Sequence, residues 1–271
     1  MGYYESRTER ALSSVVERFI DIEKVEGSIP SGRTHMEPTV IYEERDFAVI
    51  NKPAGLIAHA ASVVPGDDPF ASLSVAAWAI GKYPEVKGVG DDPAVRPGIV
   101  HRLDRETSGV MIIPRTQEAF SFFKNLFQTK EIRKTYLALV YGAPRESRGT
   151  VDLPIGLNSG STKRTVFTKK AKMIKDAATD YEVMRTWKIG KETVSLVRVL
   201  PQTGRTHQIR VHMASIGCPV VGDAVYGHKK QAIPLGRHFL HADSIEFPTP
   251  NGGRLTISAD LPPELAALIP A

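Results

Sequence analysis

One polar cluster lies between two apolar runs in the stretch GIVHRLDRETSGVMI, residues 98–112. The pattern predicts a strand, a tight polar loop and a second strand. Asp104 stands at the rim of the predicted core, where a carboxylate needs a cationic or hydrogen-bonding partner to stay ionised. A loop supported on both sides is suited to hold a catalytic group. The alternative is that Asp104, Thr107 and Ser108 cap a turn, and the residues alone leave both interpretations open.

A second polar cluster, PQTGRTHQIRVH, covers residues 201–212. Thr206 is suited to cap a helix that follows a Pro/Gly turn. His207 and Arg210 are three residues apart, so we expect them to share a face of this helix. That face borders the apolar stripe that contains Ile209, and a partly desolvated arginine there requires a carboxylate or a phosphate. The alternative is a surface helix with a solvated basic side.

Other common site chemistries do not fit the chain. The five histidines considered as metal ligands have no zinc-binding spacing, and there is no HExxH or CxxC motif. The sequence also has no GxSxG nucleophile turn and no GxxxxGK[ST] phosphate loop. A metal-dependent hydrolase, a serine hydrolase and an ATP-driven enzyme are therefore disfavoured. The histidines considered are His59, His101, His207, His212 and His241.

Composition is that of a folded globular protein. The 271 residues are 42% hydrophobic and 24% charged, with a formal net charge of +5. This basic balance permits a polyanionic partner but does not require one. The single cysteine, Cys218, cannot form an intrachain disulfide, and its apolar surroundings predict a small buried residue. We find no signal peptide and no apolar run of membrane-spanning length, so a cytoplasmic location is expected.

The chain divides near residue 40. Apolar residues at helical spacing over residues 5–26, followed by a Gly- and Pro-containing stretch, predict a helix and linker over residues 1–39. Residues 40–271 mix strands and helices without regular alternation, which predicts an α/β or α+β domain with a sheet of mixed direction. The predicted elements are two short strands or a hairpin over 40–52, a helix over 70–80, a helix capped by Thr116, strands at 134–141, 193–200 and 254–259, and a helix over 206–217.

Residues 161–175 carry six lysines or arginines interleaved with apolar residues. This pattern predicts a hairpin with a basic face that binds phosphates without reading sequence. The residues expected to contact phosphates are Lys163, Arg164, Lys169 and Lys170. The alternative is a solvated charge run, which is the usual outcome for such a segment.

Five motifs resemble those of the RluA family of RNA pseudouridine synthases. They occur in the family's order and cover the chain from about residue 40 to its end. The HRLD and GRTHQIRVH blocks are long and specific. The motifs are VINKPAGLIAH (49–59), PGIVHRLDRETSG (97–109), KTYLALVYG (134–142), LPQTGRTHQIRVHMASIGCPVVGDAVYG (200–227) and FLHADSIEFPTP (239–250).

The resemblance implies a mixed, mainly antiparallel sheet with flanking helices, a central RNA cleft, and isomerisation of uridine to pseudouridine in structured rRNA or tRNA. It assigns Asp104 as the essential aspartate, Tyr136 as the residue that stacks on the flipped base, and Arg210 as the partner of Asp104. Arg102 would fill the space of the extruded nucleotide, and Leu240 would pack against the base. The remaining residues expected to bind RNA are His101, Arg205 and His207.

The resemblance also implies an enzyme that uses no cofactor and no metal. We further expect RNA as the partner, no membrane, no obligatory protein partner, and a monomer. Residues 1–39 are too short for the S4-type RNA-binding domain of several family members, so target selection is expected to rest on the catalytic domain. An RNA-binding protein of this fold that does not use the chemistry is the alternative function.

Overall fold

The computed structural model describes residues 37–59, 74–161, 163–167, 169, 171–249 and 252–270. The predicted N-terminal helix, nearly all of the predicted linker, and Lys170 lie outside the described residues. Within the described ranges, no helix is both long enough and apolar enough to cross a membrane.

Within the described residues, nine strands form one large sheet. These strands are β1 (Thr39–Glu43), β2 (Phe47–Lys52), β3 (Ser108–Pro114), β4 (Arg133–Tyr141), β5 (Arg148–Asp152), β9 (Ala178–Ile189), β10 (Glu192–Pro201), β11 (Leu240–Pro248) and β12 (Arg254–Ser258). Every pairing is antiparallel except that between β3 and β11. The predicted mixed, mainly antiparallel sheet is therefore confirmed. The order of the strands across the sheet is β1-β2-β3-β11-β4-β10-β9-β5, and β12 pairs with β11.

A small three-stranded sheet holds the basic segment. Its strands are β6 (Ile155–Asn158), β7 (Arg164–Thr165) and β8 (Ala171–Lys175), in the order β7-β6-β8. The hairpin predicted within residues 161–175 is wrong, because β7 and β8 do not pair with each other. Each instead pairs with one edge of β6, a strand that lies outside the basic segment.

Within the described residues, four α-helices flank the sheets: α1 (Val75–Lys82), α2 (Gln117–Gln128), α3 (Gln208–Ser215) and the single turn α4 (Pro263–Ala266). A short 3-10 helix covers Pro84–Gly88. The predicted Thr116 cap is confirmed, since its side chain accepts the Ala119 N–H at 3.2 Å. The helix predicted over 70–80 begins at Val75, because Ser74 accepts the Ala77 N–H and caps it there.

The Thr206 cap is wrong. The residue before α3 is His207, whose backbone is left-handed at φ 57°, and no side chain caps this helix. His207 therefore lies ahead of α3 and does not share a helical face with Arg210. The predicted strand at Ile99 and Val100 is also wrong: residues 99–107 are loop, although Ile99 is buried in the core.

Strands β3 and β11 pair in parallel at their N-terminal ends, so the loop before β3 lies next to the start of β11. Ser108 pairs with His241, and Gly109 pairs with Ala242. A Cβ on Gly109 would lie 2.1 Å from the Ala242 carbonyl oxygen, so this close approach requires glycine. On its other side β11 pairs with β4, which sets Tyr136 opposite Ala242.

Candidate active site

Asp104 lies in the loop that enters β3 and pairs with Arg210 of α3. The Arg210 Nη1 atom donates to Asp104 Oδ2 at 3.0 Å, and the Asp104 side chain is 18% exposed. The backbone makes a turn, with the Thr107 N–H donating to the Asp104 carbonyl. The carboxylate itself is held by the arginine. The partner that the resemblance assigned to Asp104 is therefore in contact with it.

Thr107 and Ser108 do not cap that turn with their side chains. The Thr107 hydroxyl lies 2.8 Å from His238 Nε2, and the Ser108 hydroxyl lies 2.9 Å from His241 Nδ1. Both histidines are buried, and burial lowers the pKa of His238 to about 3 and that of His241 to about 4. At neutral pH these uncharged rings fix the end of the Asp104 loop to the segment that leads into β11.

Arg210 is oriented by a second carboxylate, that of Asp223. Its Nε donates to Asp223 Oδ2 at 2.7 Å and its Nη2 to Oδ1 at 2.9 Å. Asp223 is fully buried, and its Oδ1 also accepts the backbone N–H groups of Val225 and Tyr226. Burial opposes ionisation, but the hydrogen bonds and charge of Arg210 outweigh it and hold the pKa of Asp223 below its usual range.

The same two carboxylates keep Arg210 charged. Burial of the guanidinium disfavours the cation, but the hydrogen bonds and charges of Asp223 and Asp104 raise the pKa of Arg210 above its usual value. Because Asp223 uses Nε and Nη2, the Nη1 atom is left directed at Asp104. The geometry is that of one buried arginine that positions an accessible carboxylate.

Sequence reasoning missed Asp223. Its only signal was an acidic residue in the apolar context VVGDAVYG, thirteen residues after Arg210 in the chain. That motif also supplies Tyr226, whose ring lies under the Arg210 guanidinium at 5.2 Å. The Tyr226 hydroxyl bonds His207 Nδ1 at 2.9 Å and accepts the Arg164 backbone N–H at 2.9 Å. Tyr226 thus connects the catalytic candidates to the small sheet.

Lys52, a third residue that the sequence did not identify, supports the loop that contains Asp104. Lys52 is fully buried, and its Nζ donates to the carbonyls of Pro53, Leu56 and Arg105 at 2.8–3.0 Å. Arg105 directly follows Asp104, so the lysine fixes the loop next to the carboxylate. Burial, with a smaller contribution from Arg237, lowers the pKa of Lys52 to about 7.

Asp104 and Arg210 open onto a cleft of about 570 Å³. Tyr136 faces it, and burial, then the charge of Asp104, raises the pKa of the Tyr136 hydroxyl above its usual value. The hydroxyl is therefore protonated at neutral pH and available as a donor. The predicted residues that line the cleft together are His101, Arg102, Asp104, Tyr136, Arg205, His207, Arg210 and Leu240.

The cleft wall is basic, which favours a polyanionic ligand. Arg102 is exposed at its mouth, whereas Lys134 is partly buried and burial lowers its pKa to about 8. His101 accepts the Ile112 backbone N–H through Nε2 at 2.9 Å and packs against Phe127. Burial lowers the pKa of His101 to about 3, so this ring is neutral and anchors the loop to β3. The other basic lining residues are Arg96, Lys124, Lys130, Arg205 and Arg210.

No described residue of the basic segment, 161–175, lines this cleft. Lys163 and Lys169 are exposed outside it, while Arg164 lines a smaller adjacent pocket together with Arg205. Among the residues that the structure describes, no three potential metal ligands converge.

Comparison with known proteins identifies the family of this chain. The sequence profile described as RNA pseudouridylate synthase matches residues 46–215, a segment that includes Asp104, Tyr136 and Arg210. The chain belongs to the RNA pseudouridylate synthase family. The fold agrees: human RNA pseudouridylate synthase domain containing 1 superposes with a TM-score of 0.68 at 28% identity, over 88% of this chain and 90% of that one.

Bacterial members of the family are more similar in sequence. An uncharacterized RNA pseudouridine synthase of Chloroflexus aurantiacus is 41% identical over 81% of this chain, and one of Aquifex aeolicus is 39% identical over 72%. The matches span 64% and 58% of those two proteins, so less than two thirds of each is covered. The ribosomal large subunit pseudouridine synthase D of Zymomonas mobilis is 32% identical, over 86% of this chain and 74% of that protein.

Proposed function

We propose that this protein isomerises uridine to pseudouridine in structured RNA. The observation that carries the proposal is an Asp104 carboxylate that Arg210 holds at the floor of a basic cleft, beside Tyr136. In this reaction the N1–C1′ glycosidic bond breaks, the uracil turns over, and a C5–C1′ bond forms. The proton on C5 is lost and N1 gains one, so the product is an isomer of the substrate.

Asp104 acts as an ionised carboxylate on the ribose. Both chemical routes to the isomerisation, attack on C1′ and removal of a ribose proton, need that charge state. Arg210 orients the Asp104 carboxylate by pairing with it through Nη1, while Asp223 occupies the rest of the guanidinium. The arginine is a positioning residue in this scheme, because it contacts the carboxylate.

A target base inside a helix must leave the stack to reach Asp104, at a cost of a few kcal/mol. Tyr136 offers a flat face for the flipped uracil and a protonated hydroxyl near C5. Leu240, which is buried in the cleft wall, packs against the other part of the base. Arg102, exposed at the mouth, occupies the space that the nucleotide leaves and stacks on its neighbours.

We infer that the RNA is ribosomal RNA or tRNA. Two similar proteins are named ribosomal large subunit pseudouridine synthase D, which favours large-subunit ribosomal RNA as the first substrate to test. Lys163, Arg164 and Lys169 extend the basic surface along this RNA, and Lys170, which is also expected to contact phosphates, lies outside the described residues. An RNA substrate and a chain with one cysteine suit a cytoplasmic location.

The test is incubation of the purified protein with unmodified transcripts of large-subunit ribosomal RNA and of tRNA. Pseudouridine is then mapped by carbodiimide labelling and primer extension. A new stop at one or a few uridines is expected. Tight RNA binding without any conversion would overturn the proposal in favour of an RNA-binding protein that does not use the chemistry.

A further inference from the structure

The small sheet β7-β6-β8 carries a second concave feature, next to the cleft. This pocket of about 170 Å³ is lined by Arg164, Lys175 and Arg205, together with Met173. The described residues that line it include these three cations and no carboxylate. The lining is completed by Ile155, Gly204 and Thr206. We name it the β8 pocket.

The β8 pocket adjoins the cleft that contains Asp104. Gly204, Arg205 and Thr206 line both, so this stretch ahead of α3 forms the shared wall. A chain that leaves the cleft across this wall enters the β8 pocket directly. The placement fits a ligand that extends beyond a single nucleoside.

The cations of the β8 pocket are not neutralised by their own segment. Residues 161–175 contain six lysines or arginines and no aspartate or glutamate. The Arg164 Nε atom is buried and lacks a hydrogen-bond partner within the described residues. Lys175 is exposed at the pocket rim. A group with several acceptor oxygens and negative charge satisfies these donors.

Met173 is held over the pocket by strained backbone. Its φ is 53°, a left-handed value that non-glycine residues rarely adopt. The strain accompanies an irregularity in which Ile155 pairs with Lys175 but Leu157 pairs with Lys172, which leaves one extra residue in β8. Met173 remains 69% exposed despite its apolar side chain. A strained, exposed thioether beside cations indicates a contact surface.

We propose that the β8 pocket binds one nucleotide of the RNA strand that flanks the target uridine. Arg164, Lys175 and Arg205 bind its phosphate, and Met173 packs against its base. The inference rests on the proposed function and adds a specific site to it. Since phosphate contacts carry no sequence information, the pocket fixes the register of the strand in the cleft.

The test uses two variants and one control. Lys175→Gln removes a phosphate contact, and Met173→Gly removes the apolar contact while permitting the same φ. Lys191→Gln removes a charge of the same sign from an exposed turn between β9 and β10, and Lys191 lines neither pocket. The probe is single-stranded oligouridine of about 12 nucleotides, and its affinity is measured by fluorescence anisotropy over a range of salt concentrations.

For Lys175→Gln we expect weaker binding and a slope of log affinity against log salt that is smaller by about 0.7, the value for one phosphate contact on a single strand. Met173→Gly is expected to bind several-fold more weakly while melting no lower than the parent, because glycine relieves the strained φ. Lys191→Gln is expected to keep the parent slope.

A parent-like slope for Lys175→Gln, or parent-like affinity for Met173→Gly, overturns the inference. The proposed function is tested separately by conversion of uridine by the parent. If the parent makes pseudouridine and both variants bind as the parent does, the β8 pocket fails and the proposed function stands. If the parent converts no uridine, the proposed function fails.

Discussion

Asp223→Asn tests the claim that a buried carboxylate holds Arg210 in place. Asparagine has nearly the same shape, and its Oδ1 can still accept the Val225 and Tyr226 N–H groups and Arg210 Nη2. Its amide nitrogen would then face Arg210 Nε, which now donates to Asp223 Oδ2 at 2.7 Å. Two donors would point at each other in a site where the side chains are 7% and 0% exposed.

Breaking a buried ion pair by removing one partner costs about 3–5 kcal/mol. We expect the lower end, about 3 kcal/mol, because the variant keeps the Oδ1 hydrogen bonds. That loss corresponds to a fall in Tm of about 6 to 12 °C for a chain of this size. The guanidinium also loses its orientation toward Asp104, and a misplacement of about 1 Å lowers kcat/KM by about 100-fold.

The loss of unfolding free energy in Asp223→Asn depends on pH in a definite direction. The folded pKa of Asp223 lies below its unfolded value, so its contribution to stability is complete above about pH 4 and is lost as the pH falls through the folded pKa. The difference in unfolding free energy between parent and variant is therefore expected to shrink below about pH 4.

Urea unfolding and kcat/KM on a converted transcript measure both effects. Glu43→Gln is the matched control, because Glu43 pairs with Arg115 at 2.9 Å and its side chain is 45% exposed. The control is expected to cost less than about 1 kcal/mol. An Asp223→Asn protein as stable and active as the parent would refute the role of the second carboxylate.

Two further predictions concern residues that support the site. Tyr226→Phe keeps the ring under Arg210 but loses the hydroxyl that bonds His207 and the Arg164 N–H. We expect the unfolding free energy to fall by about 1 kcal/mol and kcat/KM to fall as well. An unchanged kcat/KM would show that the Tyr226 hydroxyl does not support the site. Lys52→Met leaves three carbonyls without their donor and is expected to lower the unfolding free energy by about 3 kcal/mol. The pKa of Lys52 is about 7 in the folded protein, so between about pH 7 and 10 the unfolded chain binds a proton at Lys52 that the folded protein does not. The unfolding free energy of the parent should therefore rise with pH in this range relative to that of the variant. Parallel pH profiles of the two proteins would contradict this.

Local patterns predicted the parts of the fold that local interactions determine. The Thr116 cap and the hairpin of β1 and β2 follow from neighbouring residues. The apolar stretch over 193–200 forms β10, which lies between β4 and β9 as a strand that is apolar on both faces should. Arg210 was expected to be partly desolvated, and it is 6% exposed.

The parts that the residue patterns did not predict depend on distant pairings. Strands β7 and β8 pair with β6, and nothing in the charge pattern of 161–175 specifies that strand. Asp223 contacts Arg210 although it lies thirteen residues further along the chain, so no helical or strand spacing connects the two residues. The left-handed backbone of His207 moves the start of α3 past Thr206, and non-glycine residues adopt this conformation too rarely for the sequence to predict it.

The central claim is that the Asp104 carboxylate performs the isomerisation. Its most direct test compares the parent with Asp104→Asn on the same transcript, measuring RNA affinity and pseudouridine formation together. We expect the variant to bind the RNA with an affinity close to that of the parent and to leave every uridine unconverted. Formation of pseudouridine by Asp104→Asn at a rate near that of the parent would contradict the account.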